Sequence, residues 1–163
     1  MVLSRAMATP AQPSPEPRLL VPALAPFYDW VRDLSWLVIR LTVGGVLLEH
    51  GIMKVLHVGV GNFAHGLANR GFEPALLFAY IVFFNETVGA VFLAIGFLTR
   101  IVGPMIAIEF LVITFVAHFP NGFAWNAPKG GWEYPLLWGL VIFAVSLRGG
   151  GPYSVDRAIG KEL

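Results

Sequence analysis

The chain of 163 residues has no cysteine. That excludes disulfides, thiolate nucleophiles, Cys-ligated iron–sulfur clusters and covalently attached c-type haem, so any redox work falls to a bound cofactor or a partner. Charge is scarce as well. Asp, Glu, Lys and Arg make up 13% of the chain, against about 25% in soluble domains. The formal net charge is +1, which offers no electrostatic footprint for nucleic acid. No internal repeat is visible, and no long apolar run follows Arg5, so the N-terminus does not read as a secretory signal.

What is abundant is apolar surface. Hydrophobic residues make up 56% of the chain and the mean hydropathy is +0.70, which places it among integral membrane proteins, with length for one domain. Residues 1–26 are rich in Pro, Ala and Ser and read as a disordered tail. Tyr28, Trp30 and Trp36 are candidate interfacial anchors. Four apolar stretches follow, at about 34–56, 74–98, 101–118 and 133–147. The last is at the short end of the ~17–25 residues a spanning helix needs. The segment 57–73, with four glycines, reads as a polar loop, and FPNGFAWNAPKGGW as a loop folded over the bundle mouth. Ser154 is placed to cap a brief helix in the C-terminal tail. The expected fold is all-α: a four-transmembrane-helix bundle behind the Pro-rich tail.

Basic residues set the expected orientation. Arg5, Arg18, Arg32, Arg100, Arg148, Arg157 and Lys161 fall on the side of the termini, and Lys54, Arg70 and Lys129 on the other. Both termini are therefore expected in the cytoplasm of a bacterial inner membrane, with the two long loops in the periplasm.

Glu86 lies near the middle of YIVFFNETVGAVFLAIGFLTR, an apolar run from Tyr80 to Arg100. An acid at bilayer depth must face protein or a water-filled cavity. Gly89, Ala90, Leu93 and Gly96 follow it at helical spacing and give its face a smooth stripe suited to close packing. By depth, all four stretches bring polar groups to one outer region: Glu49, His50 and Lys54 from the first, Asn85 and Glu86 from the second, His118 from the third, Glu133 from the fourth. His50 and Lys54 share a helix face, whereas Glu49 lies about 100° round from His50. On the inner side Arg40 and Glu109 are at similar depth and are expected to pair.

The plain reading of the outer cluster is a hydrogen-bonded network that fixes helix register. The functional reading is a pocket for a flat ligand, flanked by Phe83, Phe84, Phe123, Trp125 and Trp132. A quinone suits that chemistry: its carbonyls accept hydrogen bonds, its ring stacks on aromatics, and its reduction needs protons that Glu or His can relay. Glu86, His50 and Lys54 are then the candidate catalytic groups, with His118, Glu49, Glu133, Asn85 and Trp132 as cofactor contacts. A haem b between His50 and His118 is a less favoured ligand. A metal held by His50, His118, Glu86 and Glu133 is another, carried by no specific spacing.

Five motifs taken together resemble the DoxX family: HGIMK at His50–Lys54, NETVGAVFLAIGFLTR at Asn85–Arg100, HFPNG from His118, GGWEYP from Gly130 and GGGPYSVDR from Gly149. The resemblance covers about Leu37 to Ala158. It implies a four-helix membrane fold with Glu86 as the hallmark acid. It also implies a link to redox or sulfur metabolism, as in DoxD-like membrane subunits of thiosulfate:quinone oxidoreductases. The expected function is a quinone-linked membrane subunit of an oxidoreductase assembly. Its expected partners are the lipid bilayer, other membrane or redox subunits, or further copies of the chain. The alternatives are an accessory protein with no chemistry, packed against a larger respiratory or photosynthetic complex, and, less favoured, a small transporter.

Overall fold

The computed structural model describes residues 17–162 and is helical, with no strand among the described residues. A 3-10 turn at Pro22–Leu24 leads into α1, Ala25–Met53, whose first turn holds Pro26, where a proline is well tolerated. α1 runs on into a π-helical turn, Lys54–Val58, that ends at Gly59 with φ +74°. α2 is Val60–Ala68. α3, Ala75–Phe84, continues through a second π-helical turn, Asn85–Gly89, into α4, Ala90–Ile95. Gly96 and Leu98 both have positive φ and reverse the chain into α5, Thr99–Val112. α5 extends through a third π-helical turn, Ile113–His118, and a 3-10 turn at Phe119–Asn121. α6 is Glu133–Arg148 and α7 is Val155–Ala158.

Three of these rods are long and apolar enough to cross a membrane: Pro22–Val58, Ala75–Ile95 and Thr99–Asn121. Their outward side chains, such as Val38, Ile81, Ile108 and Phe115, are exposed, as a lipid-facing surface requires. α6 has 16 residues, about 24 Å at 1.5 Å per residue. It packs along α5, where Gly103 lets Ser146 approach: a Cβ on Gly103 would lie 2.6 Å from that of Ser146. The α1–α4 contact uses the same device. A Cβ on Gly44 would sit 2.7 Å from the Ala90 carbonyl oxygen. Close backbone approach of this kind is how helices associate in lipid, where burial of apolar surface drives little. Val43, Leu47, Ala90, Leu93, Ile106, Ile142 and Val145 fill the space between. The stripe that follows Glu86 is buried along its whole length.

Several expectations need correction. The segment 57–73 is not all loop, because it contains α2. Phe63 and Leu67, four residues apart, turn one face of α2 onto a cavity, and Ala64 is buried. That burial offsets the roughly 1 kcal/mol of helix propensity lost at each glycine; Gly61 and Gly66 face open space. α1 begins at Ala25, so the aromatic segment expected ahead of the first span is its opening turns, with Tyr28 and Trp30 exposed. Of the expected tail 1–26, residues 1–16 lie outside the described residues, and the rest leads into the turn at Pro22.

The inner end holds the largest correction. Arg40 does not meet Glu109. Its guanidinium, fully buried, donates to the carbonyls of Ala94 and Tyr153. Beside it Asp156 accepts the N–H groups of Leu98 (2.8 Å) and Thr99 (3.1 Å), while its own N–H donates to Gly96 O. Ser154 caps α7 by accepting the Arg157 N–H at 3.1 Å. The C-terminal segment therefore clasps the α4–α5 turn, and Arg40 belongs to the clasp.

Candidate functional site

The three π-helical turns stand around one centre. A π turn inserts a residue into the helix, re-aims the side chains beyond it, and is frequent at functional sites. The first begins at Lys54, the second at Asn85 and Glu86, and the third spans Ile113 to His118. α1 comes so close to the second turn that a Cβ on Gly51 would overlap the Glu86 carbonyl. Gly51 therefore lets Lys54, three residues on, reach across. Lys54 Nζ pairs with Glu86 Oε1, the carboxylate side chain being 3% exposed and the lysine 25%. Behind this pair Asn85 Nδ2 donates to Glu109 Oε2 at 2.8 Å.

The centre is short of donors. Asn85 Oδ1, Glu86 Oε2 and Glu109 Oε1 are buried without a hydrogen-bond partner among the described residues. Orphaned buried acceptors each forfeit roughly 1–3 kcal/mol of desolvation, and here the Glu86 and Glu109 carboxyl groups lie against one another.

Two cavities open on either side. The outer one, about 630 Å³, is lined by Lys54, Glu86, His50, His118, Tyr134 and Trp138 with apolar neighbours. The other, about 430 Å³, lies under α2 and meets Lys54, Asn85 and Glu109 at its polar end, with Phe63, Phe72 and Val112 along its walls. Lys54 lines both, so the ion pair is the partition between them. Both histidines of the outer cavity are held by carbonyls. His50 Nδ1 lies 2.9 Å from Val46 O and His118 Nδ1 lies 3.0 Å from Gly130 O. A carbonyl only accepts, so each Nδ1 carries a proton and donates it to its carbonyl.

The structure thus gathers Glu86, His50, Lys54 and His118 on one cavity and puts Asn85 on the other. Three expected contacts are elsewhere. Glu49 is exposed on α1 and lines neither cavity, in keeping with its 100° offset from His50. Glu133 accepts the Trp125 N–H at 3.1 Å and so ties down the loop before α6. Trp132 stacks on Phe119 and meets Phe123 edge-on within that same loop. With Glu133 so engaged, the four-residue metal site does not assemble, and no group of three or more metal-ligating side chains occurs among the described residues.

Glu109 is the site residue that depth reasoning assigned wrongly. The signal was present: Asn85 and Glu109 are each twelve residues from Phe97, in the turn between α4 and α5. Antiparallel helices joined by a tight turn bring such residues to one level.

Among known proteins, neither a curated entry nor a solved structure matches this chain. The family model for DoxX matches residues 35–119. That stretch carries all three π-helical turns and His50, Lys54, Asn85, Glu86, Glu109 and His118. Since it takes in more than half of the 163 residues, the chain, a membrane protein with several apolar helices, belongs to the DoxX family.

Proposed function

We propose that this protein is the quinone-binding membrane subunit of an oxidoreductase assembly in a bacterial inner membrane. The observation that carries the reading is the convergence of Lys54, Glu86, His50 and His118 on one cavity of about 630 Å³ with aromatic and apolar walls. Ligand sites are commonly of this size and character, mostly apolar with a few convergent polar groups. A bound quinone supplies two-electron, two-proton chemistry. The chain's part is to hold the head and handle its protons. Lys54 offers two N–H groups beyond the one given to Glu86, and an imidazole is a group that can relay a proton. Trp138 and Tyr134 offer ring faces beside them. A chain without cysteine has no thiol to pass electrons through, which favours a partner subunit as their source or sink. In this reading α6 is a fourth, short crossing, anchored by Trp132 and Tyr134 at one end and Arg148 at the other.

The test is extraction of the protein, purified from native membranes, with organic solvent, followed by chromatography for quinone and a visible spectrum for haem. About one quinone per chain is expected. Glu86→Gln keeps the side chain's shape and removes its charge, and should cut the quinone recovered per folded chain about tenfold. Quinone no higher than in an unrelated membrane protein of equal lipid content would remove the reading.

A further inference from the structure

We infer that Glu86 and Glu109 form a carboxyl pair that holds one shared proton, a proton-binding site set in the partition between the two cavities; it stands whatever ligand the outer cavity takes.

The free oxygens of the two acids match. Glu86 spends Oε1 on Lys54, and Glu109 spends Oε2 on the Asn85 amide. The oxygens left over, Glu86 Oε2 and Glu109 Oε1, are both buried and both without a partner among the described residues. The two carboxyl groups lie against one another. Two ionised carboxylates so placed would repel, and each would keep a bare oxygen. A single proton removes both faults, because one acid then donates through its hydroxyl and the other accepts. It satisfies two of the three orphaned atoms of the centre at once.

The charge count asks for the same proton. Glu86 and Glu109 are 2% and 8% exposed and sit on two rods long enough to cross a membrane. From the first rod, Lys54 is bonded to Glu86 and lies within electrostatic reach of Glu109. Arg70 lines the same cavity as Glu109 but is exposed. His50, His118 and Tyr134 line the outer cavity with Glu86, and both histidines are bonded to carbonyls through Nδ1. Lys54 is thus the one cation bonded to either acid among the described residues. Two carboxylates against one ammonium leave an excess negative charge, which is costly at this depth, and one proton cancels it. Lys54 favours the charged form of Glu86, which puts the proton on Glu109 Oε1, donated to Glu86 Oε2.

Position gives the pair its use. Glu86 lines the outer cavity, Glu109 lines the one beneath α2, and Lys54 lines both. The transfer is a single step: the O–H bond at Glu109 Oε1 breaks, one forms at Glu86 Oε2, and the negative charge passes to Glu109. The proton then belongs to the wall of the other cavity, where it serves as a general acid for a molecule bound there.

Infrared spectroscopy at neutral pH tests this on the whole chain in ether-lipid vesicles, whose lipids have no ester carbonyl to mask the C=O band of a protonated carboxylic acid. Wild type minus Glu109→Gln should show the band of one such acid, and that band should move in D2O. Glu109→Gln should melt close to the wild type, because its amide N–H replaces the O–H toward Glu86. Glu86→Gln should abolish the band as well, since Glu109 then faces no carboxylate and gains Lys54 and the new amide as donors. Loss with either acid marks a shared proton. A Glu109 kept neutral by burial alone would keep its band in Glu86→Gln, and that result would overturn the inference. Absence of the band from the wild type, a result that needs no variant, would overturn it too. A band that never moves in D2O would reveal a sealed proton in place of an exchanging site and would equally overturn it.

Discussion

At the scale of single residues, Glu86 depends on one cation. Its side chain is 3% exposed, Lys54 is its ion-pair partner, and the other buried acid of the centre, Glu109, which accepts from the Asn85 amide, lies against it rather than offering a second cation. Removing one member of a buried pair strands the other and typically costs about 3–5 kcal/mol, whereas removing both as well-packed apolar groups is often close to neutral. Lys54→Met should therefore destabilise the protein by about that amount, and Lys54→Met combined with Glu86→Leu should recover most of the loss. Unfolding in mixed micelles, run as a double-mutant cycle, reads the coupling directly. Simple additivity would mean that the two side chains do not depend on each other. The same cycle run on Arg40 and Glu109 should be additive, because Arg40 is bound to the carbonyls of Ala94 and Tyr153 at the other end of the helices.

At the scale of elements, the site exists because α1 touches the π-helical turn of the second rod. Gly51 is the point of contact, since a Cβ there would overlap the Glu86 carbonyl, a backbone atom that cannot swing aside. Gly51→Ala should push α1 outward, cost about 1–3 kcal/mol as overpacking does, and draw Lys54 away from Glu86. Gly45, on the same helix, has nothing within 4 Å of its would-be Cβ. Gly45→Ala should be neutral or stabilising by up to about 1 kcal/mol, from helix propensity alone. Thermal melts of the two variants compared side by side check this; similar losses at both positions would mean that propensity, not the contact, governs. Elements are also where the sequence was most and least legible. Apolar runs and the Glu86 stripe announced the rods and their inward faces. The π-helical turns leave no mark in hydropathy, since they alter the hydrogen-bond register without altering composition. α2 was hidden by its glycines, which read as loop residues although its Phe63–Leu67 face is what covers the second cavity. Arg40 and Glu109 were matched by rough depth, when counting from the α4–α5 turn would have put Glu109 beside Asn85. Glu133 and Trp132 were assigned to the pocket by type, yet loop hydrogen bonds and ring stacking claim them.

At the scale of the whole molecule, the two ends of the bundle are chemically unlike. The inner end joins both ends of the chain to the α4–α5 turn: Trp36 Nε1 donates to Gly149 O at 3.0 Å, Arg100 Nη2 donates to Arg148 O at 3.3 Å, and Arg100 lies 3.6 Å from Glu162. Seven basic residues belong to that side by sequence, Arg5 among them although it lies outside the described residues. Of the three assigned to the opposite side, Lys54 is spent on Glu86 within the fold, which leaves Arg70 and Lys129. A retained lysine at bilayer depth says nothing about orientation, because the rule that basic loops stay inside counts charges at the flanks of the spans. Discounting Lys54 therefore sharpens the asymmetry. Alkaline phosphatase fused after Leu163 is expected to be inactive, a fluorescent protein at the same position to fluoresce, and phosphatase inserted after Lys129 to be active. The outer cavity, with His50 and His118, then lies toward the periplasmic side. Strong phosphatase activity after Leu163 would reverse the molecule. The clasp and its basic residues would then face the periplasm, and the histidine-lined cavity would exchange its protons, and meet any soluble redox partner, on the cytoplasmic side.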